Sequence, residues 1–297
     1  MKKILYIYGL IISLVLIVGC SPASETIQVS AKETVTPQST KQQPTGTLQV
    51  YFLDVGQGDS TLIRTPKGQH VLIDGGQNSQ GENVVNYLKQ YGVKELDAVI
   101  ATHPDADHIG GLDTVIDAIP TKSVYAPKVS HTTNTYKDFL LAVKNRGLRI
   151  KAAKAGLELP LDGVVAKFVA PVGDYGKDLN AWSAVLKVTY KDTSFIFSGD
   201  AEKKSETGMV NSGANLKADV YKVGHHGSDT STSADFLQAI NPAYAVISVG
   251  EDNKYGHPKN IVLERLGKSG VKVFRTDEQG TIISVSDGKT IKFETEK

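Results

Sequence analysis

The stretch Thr102-His103-Pro104-Asp105-Ala106-Asp107-His108-Ile109-Gly110-Gly111 places two imidazoles and two carboxylates within six positions. Pro104 and the pair Gly110-Gly111 predict a loop at the end of a strand. Four such side chains cannot be buried together without partners, because an unpaired buried charge is costly. A mixture of His and carboxylate ligands is typical of zinc, manganese or iron sites. The stretch therefore predicts a metal site, with a solvated polar turn as the alternative.

Further short motifs lie on both sides of this stretch. They are Asp54-Val55-Gly56-Gln57-Gly58-Asp59-Ser60, Val71-Leu72-Ile73-Asp74-Gly75-Gly76, Phe197-Ser198-Gly199-Asp200, Val223-Gly224-His225-His226-Gly227-Ser228 and Tyr255-Gly256-His257-Pro258. Five of the seven histidines fall in these motifs or in the opening stretch. Isolated core histidines would be scattered, so this concentration indicates a site.

The N-terminus has the composition of a bacterial export signal. Lys2 and Lys3 precede an apolar run over residues 4–19, and the run ends in Ile17-Val18-Gly19-Cys20. This ending has the form of a lipobox, so we expect a signal peptide at residues 1–20 and lipidation of the Cys20 thiol after cleavage. An uncleaved anchor with an incidental cysteine is the alternative. Both interpretations place the protein at the cell membrane, and the first makes it a lipid-anchored lipoprotein on the extracytoplasmic face.

Residues 21–47 are rich in Ser, Thr, Gln, Lys and Pro, which predicts a disordered tether. Its root-mean-square reach is roughly 30 Å by random-coil scaling. Residues 48–297 are long enough for one layered domain. Because Cys20 is the only cysteine, this domain has no Cys ligand for a metal and no disulfide. The net charge of +1 gives no attraction of the whole surface to nucleic acid, although a local basic groove stays open.

Strand and helix patterns alternate along residues 48–297. Apolar runs predict strands at 48–54, 60–65, 70–73, 96–101, 122–125, 164–170, 184–190, 194–198, 220–223, 244–249, 271–275, 280–286 and 289–294. Helices are predicted at 81–92, 112–119, 136–146, 201–213, 234–240 and 259–267. Sheets covered by helices follow from this alternation, but periodicity alone does not choose a topology.

The ordered motifs, which cover about residues 48–294, resemble those of the metallo-β-lactamase-fold hydrolases. The segment from His103 to His108 resembles the His-x-His-x-Asp-His motif of that family, with Asp105 in place of the second His. That variant is similar to the extracytoplasmic domain of ComEC-type DNA-uptake proteins. The resemblance implies an α/β hydrolase domain at 48–297, built as a four-layer αββα sandwich of two mixed β-sheets with its metal site at one edge.

The resemblance also implies a cofactor of two divalent metal ions, zinc or manganese. The implied ligands are His103 and Asp105 for the first ion, Asp107 and His108 for the second, Asp200 as the bridge, and either His225 or His226 to complete the second site. The other member of the His pair, or His257, is expected to donate a proton to the leaving oxygen. We therefore expect Asp107, His226 and His257 to take part in catalysis.

Other polar residues are expected to support the ions or the substrate. Asp74 is expected to accept an imidazole N–H, or simply to form the turn that follows it. Asn180 offers a weak amide oxygen where the wider family has a His, or it caps the next strand. Asp54 and Asp59 bracket a Gly-rich loop that either presents backbone N–H groups to a substrate anion or forms a hairpin turn. Ser228 is a weaker candidate for contact with a phosphate.

The resemblance favours a metal-dependent phosphodiesterase or nuclease that attacks extracellular DNA with an activated water. An esterase on cell-wall teichoic acid, of the phosphorylcholine-esterase type, shares the fold and the compartment. A catalytically weak module that binds nucleic acid is the third possibility, although the intact Asp107, His108 and Asp200 argue against it. The expected partners are a phosphodiester substrate, DNA in the first hypothesis, and the membrane through Cys20.

Overall fold

The protein is described by a computed structural model over residues 46–297. The predicted signal peptide at 1–20, including Cys20, and the predicted tether up to residue 45 lie outside the described residues. Within 46–297, every helix is too short or too polar to cross a bilayer.

Fifteen strands within residues 46–297 form two sheets. The strands are β1 (Leu48–Phe52), β2 (Thr61–Arg64), β3 (His70–Ile73), β4 (Ala98–Ile100), β5 (Val124–Ala126), β6 (Ile150–Ala152), β7 (Glu158–Leu159), β8 (Val165–Phe168), β9 (Leu186–Tyr190), β10 (Thr193–Phe197), β11 (Val220–Lys222), β12 (Tyr244–Ile247), β13 (Lys272–Arg275), β14 (Ile282–Ser286) and β15 (Ile291–Thr295). The first sheet has the order β15-β14-β1-β2-β3-β4-β5-β6, and the second has the order β13-β12-β11-β10-β9-β8-β7. Both sheets are mixed, because β3 to β6 and β10 to β13 pair in parallel and the other neighbours pair antiparallel.

Helices cover the outer face of each sheet. They are α1 (Gly81–Gln90), α2 (Ala106–Ile109), α3 (Leu112–Ala118), α4 (Asn134–Asn145), α5 (Lys203–Asn211), α6 (Ala234–Ile240), α7 (Asn260–Lys268) and α8 (Thr276–Gln279). One hydrophobic cluster joins α1, α3 and α4 to the first sheet, and a second joins α5, α6 and α7 to the other sheet. A third cluster lies between the sheets. The predicted four-layer αββα sandwich of two mixed sheets is therefore confirmed.

Strand β1 shows how the sequence produces these layers. Side chains alternate between the two faces of a strand, and Val50 and Phe52 face the second sheet while Tyr51 faces the helices. The Phe52 ring lies 6.2 Å from the ring of Phe197 across the layer between the sheets. Because both faces are covered, the whole of β1 is buried, and only the buried Gln49 interrupts its apolar residues.

The predicted strands and helices are all present, with ends shifted by one to a few residues. The sequence patterns miss β6 and β7, because β6 is exposed along its length and β7 has two residues. The loop predicted for the opening stretch is wrong at residues 106–109, which form the short helix α2. This helix begins after the extended residue Asp105, so that Asp107 and His108 are fixed on a rigid turn rather than on a loop.

Gly58 allows the Gly-rich loop to pack directly on the segment that carries Asp107. The backbone N–H of Asp59 donates to the Asp107 carbonyl over 3.1 Å. Gly58 has φ +142°, and a Cβ at this position would overlap the same carbonyl oxygen. The loop is thus a support for the opening stretch, and a side chain at Gly58 would push the two segments apart.

We predict that Gly58→Ala lowers the free energy of unfolding by about 1–3 kcal/mol, the usual cost of overpacking. Gly68→Ala is the matched control, because Gly68 also has positive φ (+85°) but has open space where its Cβ would lie. Urea denaturation of both variants measures the difference. Equal stability of the two would show that the contact between Gly58 and Asp107 does not constrain the fold.

Candidate metal centre

Asp74 orients the histidine of α2 from behind. The fully buried Asp74 accepts hydrogen bonds from the backbone N–H of Thr102 (2.8 Å) and from the Thr102 hydroxyl (2.6 Å). Its Oδ2 also lies 2.8 Å from Nδ1 of His108. A carboxylate at Nδ1 fixes the tautomer and leaves Nε2 as the free nitrogen. His103, at the end of β4, places Nδ1 3.1 Å from the same Thr102 hydroxyl.

His226 is held in the same way by residues of the second sheet and of the Gly-rich loop. Its Nδ1 lies 2.9 Å from the carbonyl oxygen of Ser248 and 3.3 Å from Oδ1 of Asp59. Asp59 forms an ion pair of 2.8 Å with Lys222, and both side chains are almost completely buried. Burial alone would raise the pKa of Asp59, but Lys222 and His226 lower it to about 2. Asp59 therefore stays charged behind His226 and has no access to a substrate.

His225 has its own carboxylate, Glu202, which the sequence patterns miss. Nδ1 of His225 lies 2.9 Å from Oε1 of Glu202. The same oxygen accepts hydrogen bonds from the hydroxyl of Thr230 (2.8 Å) and from the amide of Asn180 (3.3 Å). The only signal in the sequence is an acidic residue two positions after Asp200. Asn180 thus orients Glu202 through its amide nitrogen.

The backbone separates the two adjacent histidines. His225 (φ 46°, ψ 48°) and His226 (φ 51°, ψ 23°) both have left-handed conformations, which non-glycine residues adopt mainly where the surroundings impose them. Their ring planes are inclined at 66° and their centroids are 6.1 Å apart. This strained turn sends the two rings to different supports while both Nε2 atoms approach Asp200.

Asp200 lies at the centre of the four histidines. Its Oδ1 is 3.2 Å from Nε2 of His108, and its Oδ2 is 3.6 Å from Nε2 of His226, 3.7 Å from that of His225 and 3.9 Å from that of His103. Each histidine thus uses Nδ1 for support and turns Nε2 towards one carboxylate. This arrangement is the one that histidine ligands of a metal adopt.

Several of the converging atoms are buried without a hydrogen-bond partner among the described residues. They are the Nε2 atoms of His103, His108 and His226 and Oδ1 of Asp200. The candidate ligand atoms of His103, His108 and Asp200 lie within 4.8 Å of one another, and so do those of Asp107, His108 and His226. Unpartnered buried polar atoms are costly, and imidazole nitrogens and carboxylate oxygens that face one another can all bind a single cation. The His/Asp clusters therefore fit a divalent metal.

Asp105 and Asp107 form the open side of this cluster. Oδ2 of Asp105 lies 3.6 Å from Nε2 of His103, and Oδ2 of Asp107 lies 3.4 Å from Nε2 of His226. Their side chains are 36% and 28% exposed, whereas that of Asp200 is 4% exposed. The contact with His103 lowers the pKa of Asp105. Both carboxylates can reach a cation and a substrate from the solvent side.

The buried charges of the cluster stabilise one another. Burial by itself would raise the pKa of Asp200, but His108 and His226 hold that pKa well below its usual range. Burial would likewise lower the pKa of His226, but Asp200, Asp107 and Asp59 raise it to about 10. Asp200 and Asp74 also raise the pKa of His108 well above its usual value. Without a cation, both imidazoles are therefore protonated at neutral pH.

His257 lies at the rim, with its ring 5.6 Å from the ring of His225. Burial, followed by the charges of His225 and His226, lowers the pKa of His257 to about 4. A ring with this pKa is neutral near pH 7, so it offers a neutral N–H or a lone pair rather than an acidic proton. In the metal-free protein, the pKa of His257 is thus lowered and that of His225 is raised, so His225 is the better proton donor of the two.

Two other predicted residues have local structural roles in the described contacts. Oδ1 of Asp54 accepts a hydrogen bond from the backbone N–H of Gly56 over 3.1 Å and so closes the turn. The hydroxyl of Ser228 pairs with that of Thr230 over 2.8 Å, and Ser228 is only 4% exposed. Both contacts stabilise loops around the cluster, and its burial leaves the Ser228 hydroxyl unsuited to contact a phosphate.

Comparison with known proteins identifies the family. Residues 53–251 match the family described as the metallo-beta-lactamase superfamily. The chain belongs to the metallo-β-lactamase superfamily. ComE operon protein 3 of Bacillus subtilis is 36% identical over 79% of this chain and 32% of its own length, and competence protein ComA of Neisseria gonorrhoeae is 35% identical over 77% of this chain and 31% of its own length. The predicted resemblance to ComEC-type proteins is therefore confirmed.

The chain spans about a third of the length of these curated relatives. Among solved structures, the metallo-β-lactamase fold protein YhfI of Bacillus subtilis aligns with a TM-score of 0.52 at 12% identity, over 83% of this chain and 100% of its own. That likeness supports the superfamily fold alone. The protein therefore has the hydrolase fold of the superfamily, and its His/Asp clusters can bind metal.

We predict that divalent metal binding releases protons at pH 7. The raised pKa values of His108 and His226 mean that both rings carry a proton in the metal-free protein, and a ligand nitrogen must be deprotonated. Apparent affinity should therefore rise with pH. Isothermal titration calorimetry with Mn²⁺ or Zn²⁺, in two buffers of different ionisation enthalpy, measures the released protons.

The same pKa values set the stability of the metal-free protein. The pKa of His226 is raised to about 10, so its contribution to folding is complete below the ordinary value of 6.5 and is lost as pH rises through 10. The free energy of unfolding of the metal-free protein should fall over this window, as urea denaturation at several pH values would measure.

In the calorimetry described above, a heat of metal binding that does not depend on the buffer would contradict the assignment of protonated rings.

Proposed function

We propose that this protein is a metal-dependent phosphodiesterase that acts on DNA. The observation that carries the proposal is the convergence of four imidazole Nε2 atoms on the buried Asp200, three of them unpartnered. The two partly exposed carboxylates, Asp105 and Asp107, extend this cluster to the solvent. A site open on one side and anionic at its base can hold cations and admit a phosphodiester.

We propose two ion sites that share this cluster. His103, Asp105 and Asp200 would hold the first ion, and this oxygen-rich set favours manganese. Asp107, His108 and His226 would hold the second together with Asp200, and its two imidazoles suit zinc. The choice of His226 rests on its 3.4 Å contact with Asp107 and on its membership of the same cluster.

When bound, the two ions would supply Lewis-acid stabilisation of a phosphoryl group and lower the pKa of an attacking water. The protein fixes each of the four imidazoles through Nδ1, so the ligands need no reorganisation when the ions bind. Asp200, which both clusters approach, sets the spacing between the two sites. His225 donates a proton to the leaving oxygen, and Glu202 at its Nδ1 stabilises the protonated ring, whose pKa is raised although burial opposes this.

DNA is the substrate that the relatives favour. One matched protein is named a competence protein, and the other is named for the ComE operon. The sequence motifs also resemble a domain of DNA-uptake proteins. A hydrolase at the outer surface of a cell meets DNA as an extended polyanion. We therefore propose DNA ahead of the phosphorylcholine esters of teichoic acid.

We also propose that the protein is a lipoprotein held at the extracytoplasmic face of the membrane through Cys20. The support is the lysine-flanked apolar run that ends in the lipobox-like Ile17-Val18-Gly19-Cys20. The polar residues 21–47 would then act as a tether between the membrane and the hydrolase domain.

Asp200→Asn should reduce hydrolysis of bis-p-nitrophenyl phosphate and of single-stranded DNA by on the order of a hundredfold or more, because one charge serves both ion sites. The exposed Asp235, in the first turn of α6, gives the matched control Asp235→Asn. Metal content and thermal unfolding are measured alongside the rate. Retained activity with bound metal would contradict the bridging role of Asp200.

A second set of assays tests the substrate. The unaltered protein should cleave DNA in the presence of Mn²⁺ or Zn²⁺, and a chelator should abolish the cleavage. Hydrolysis of phosphorylcholine esters without cleavage of DNA would contradict the proposal of DNA and favour the esterase.

Cys20→Ser should abolish incorporation of a labelled fatty acid in bacterial cells, because the thiol is the proposed acceptor. Ser24→Ala, four positions further along, should keep the label. Mass spectrometry of the N-terminal peptide would identify the modified residue. Labelling that persists in Cys20→Ser would show that the lipid is attached elsewhere or that the label is unspecific.

A further inference from the structure

An exposed aromatic side chain stands beside the metal centre. Among residues 46–297, six large hydrophobic side chains are exposed, and Tyr255 is the one aromatic residue in that group, with 48% of its surface exposed. A single exposed apolar side chain is common on a protein surface, but Tyr255 differs from the other five by its place beside the metal centre. The proposed phosphodiester chemistry does not use this residue.

The Tyr255 ring is connected to the metal centre by two ring contacts. It stacks on His257, with ring centroids 5.7 Å apart and planes inclined by 23°. The ring of His257 lies 5.6 Å from that of His225, whose Nε2 is 3.7 Å from Asp200. A strand whose phosphodiester enters the cluster would thus have a neighbouring nucleotide close to Tyr255.

Hydrogen bonds tie the loop that carries Tyr255 to its own backbone and to the loop of the histidine pair. The side chain of Asn253 donates to the carbonyl oxygens of Gly250 (3.0 Å) and His257 (2.7 Å) and accepts from the backbone N–H of His257 (3.0 Å). The N–H of Lys259 donates to the carbonyl of Gly227, in the loop of the histidine pair, over 2.9 Å. A ring held in this way loses little conformational freedom when it binds a flat partner.

The charges around the ring select the kind of partner. Nζ of Lys254 lies 5.2 Å from the centroid of the Tyr255 ring, and Nζ of Lys259 donates to the Tyr255 carbonyl over 2.6 Å. Glu251 and Asp252 precede them in the loop, but the two ammonium groups are the ones that contact Tyr255. Ammonium groups beside an aromatic ring suit a flat base with flanking phosphates. A quaternary ammonium such as choline would compete with the Lys254 ammonium for the ring face, whereas a stacked base leaves that ammonium free to pair with a flanking phosphate.

We propose that Tyr255, backed by His257, is a stacking platform for a nucleobase of single-stranded nucleic acid, next to the phosphodiester that is cleaved. The proposal rests on the phosphodiesterase function above and narrows its substrate class. An unpaired base exposes its face to an aromatic side chain, whereas the bases of a duplex are covered by their neighbours. The platform therefore favours single strands.

The test compares a single-stranded oligonucleotide with an abasic oligonucleotide that has the same length and the same phosphates. In the presence of Mn²⁺, Tyr255→Ala should lower the ratio of kcat/KM for the first to kcat/KM for the second by roughly tenfold to a hundredfold, the range measured for loss of one stacked base. Tyr255→Phe, which keeps the ring, should preserve the ratio. Val165→Ala is the control, because Val165 is 56% exposed on β8.

Each other outcome is decisive. An unchanged ratio in Tyr255→Ala, or equal losses on both oligonucleotides, would overturn the platform while leaving the phosphodiesterase intact. Cleavage of neither oligonucleotide by the unaltered protein would instead overturn the phosphodiesterase, and the platform with it. A phosphorylcholine ester is assayed in parallel. If Tyr255→Ala loses activity on that ester alone, the ring binds choline and the base-stacking role is overturned.

Discussion

The buried negative charge of Asp200 is the constraint on which the site depends. A carboxylate that is almost completely enclosed needs compensating positive charge, and four imidazoles direct Nε2 towards it. The same charge raises the pKa of His108 and His226, so a metal ion that binds the cluster would displace protons from it. The supports at each Nδ1 matter because they prevent the rings from turning away to make other hydrogen bonds. Geometry and charge therefore stabilise a single arrangement.

Close approach of backbone segments makes this arrangement possible. Gly58 brings the Gly-rich loop onto the Asp107 carbonyl, so that Asp59 reaches His226 from behind. The Lys222–Asp59 ion pair then links β11 of the second sheet to a loop of the first. These contacts join the two sheets beside the site, and they hold the metal-binding atoms of one sheet next to those of the other.

The sequence predicts most of the converging residues because their signals are local, whereas the fold follows from the resemblance of the ordered motifs to a known family, since periodicity alone does not choose a topology. His103, Asp107 and His108 share one short stretch, and Asp200 follows an apolar strand. Local patterns cannot choose between His225 and His226, since the choice depends on Ser248 and Glu202, which are distant in sequence. Glu202 is missed for the same reason, because its role comes from three partners that only folding brings together. The exposed strand β6 lacks the apolar pattern on which strand prediction relies.

The two halves of the cluster come from different sheets and from distant parts of the chain. His103 to His108 follow β4, whereas Asp200 follows β10 and the histidine pair follows β11. During synthesis on the ribosome, the first half emerges about ninety residues before the second. Metal affinity must therefore appear late, once both sheets have docked. A chain that is only partly synthesised would thus lack half of the ligand atoms, and it could bind cations in this cluster only after the second half has folded.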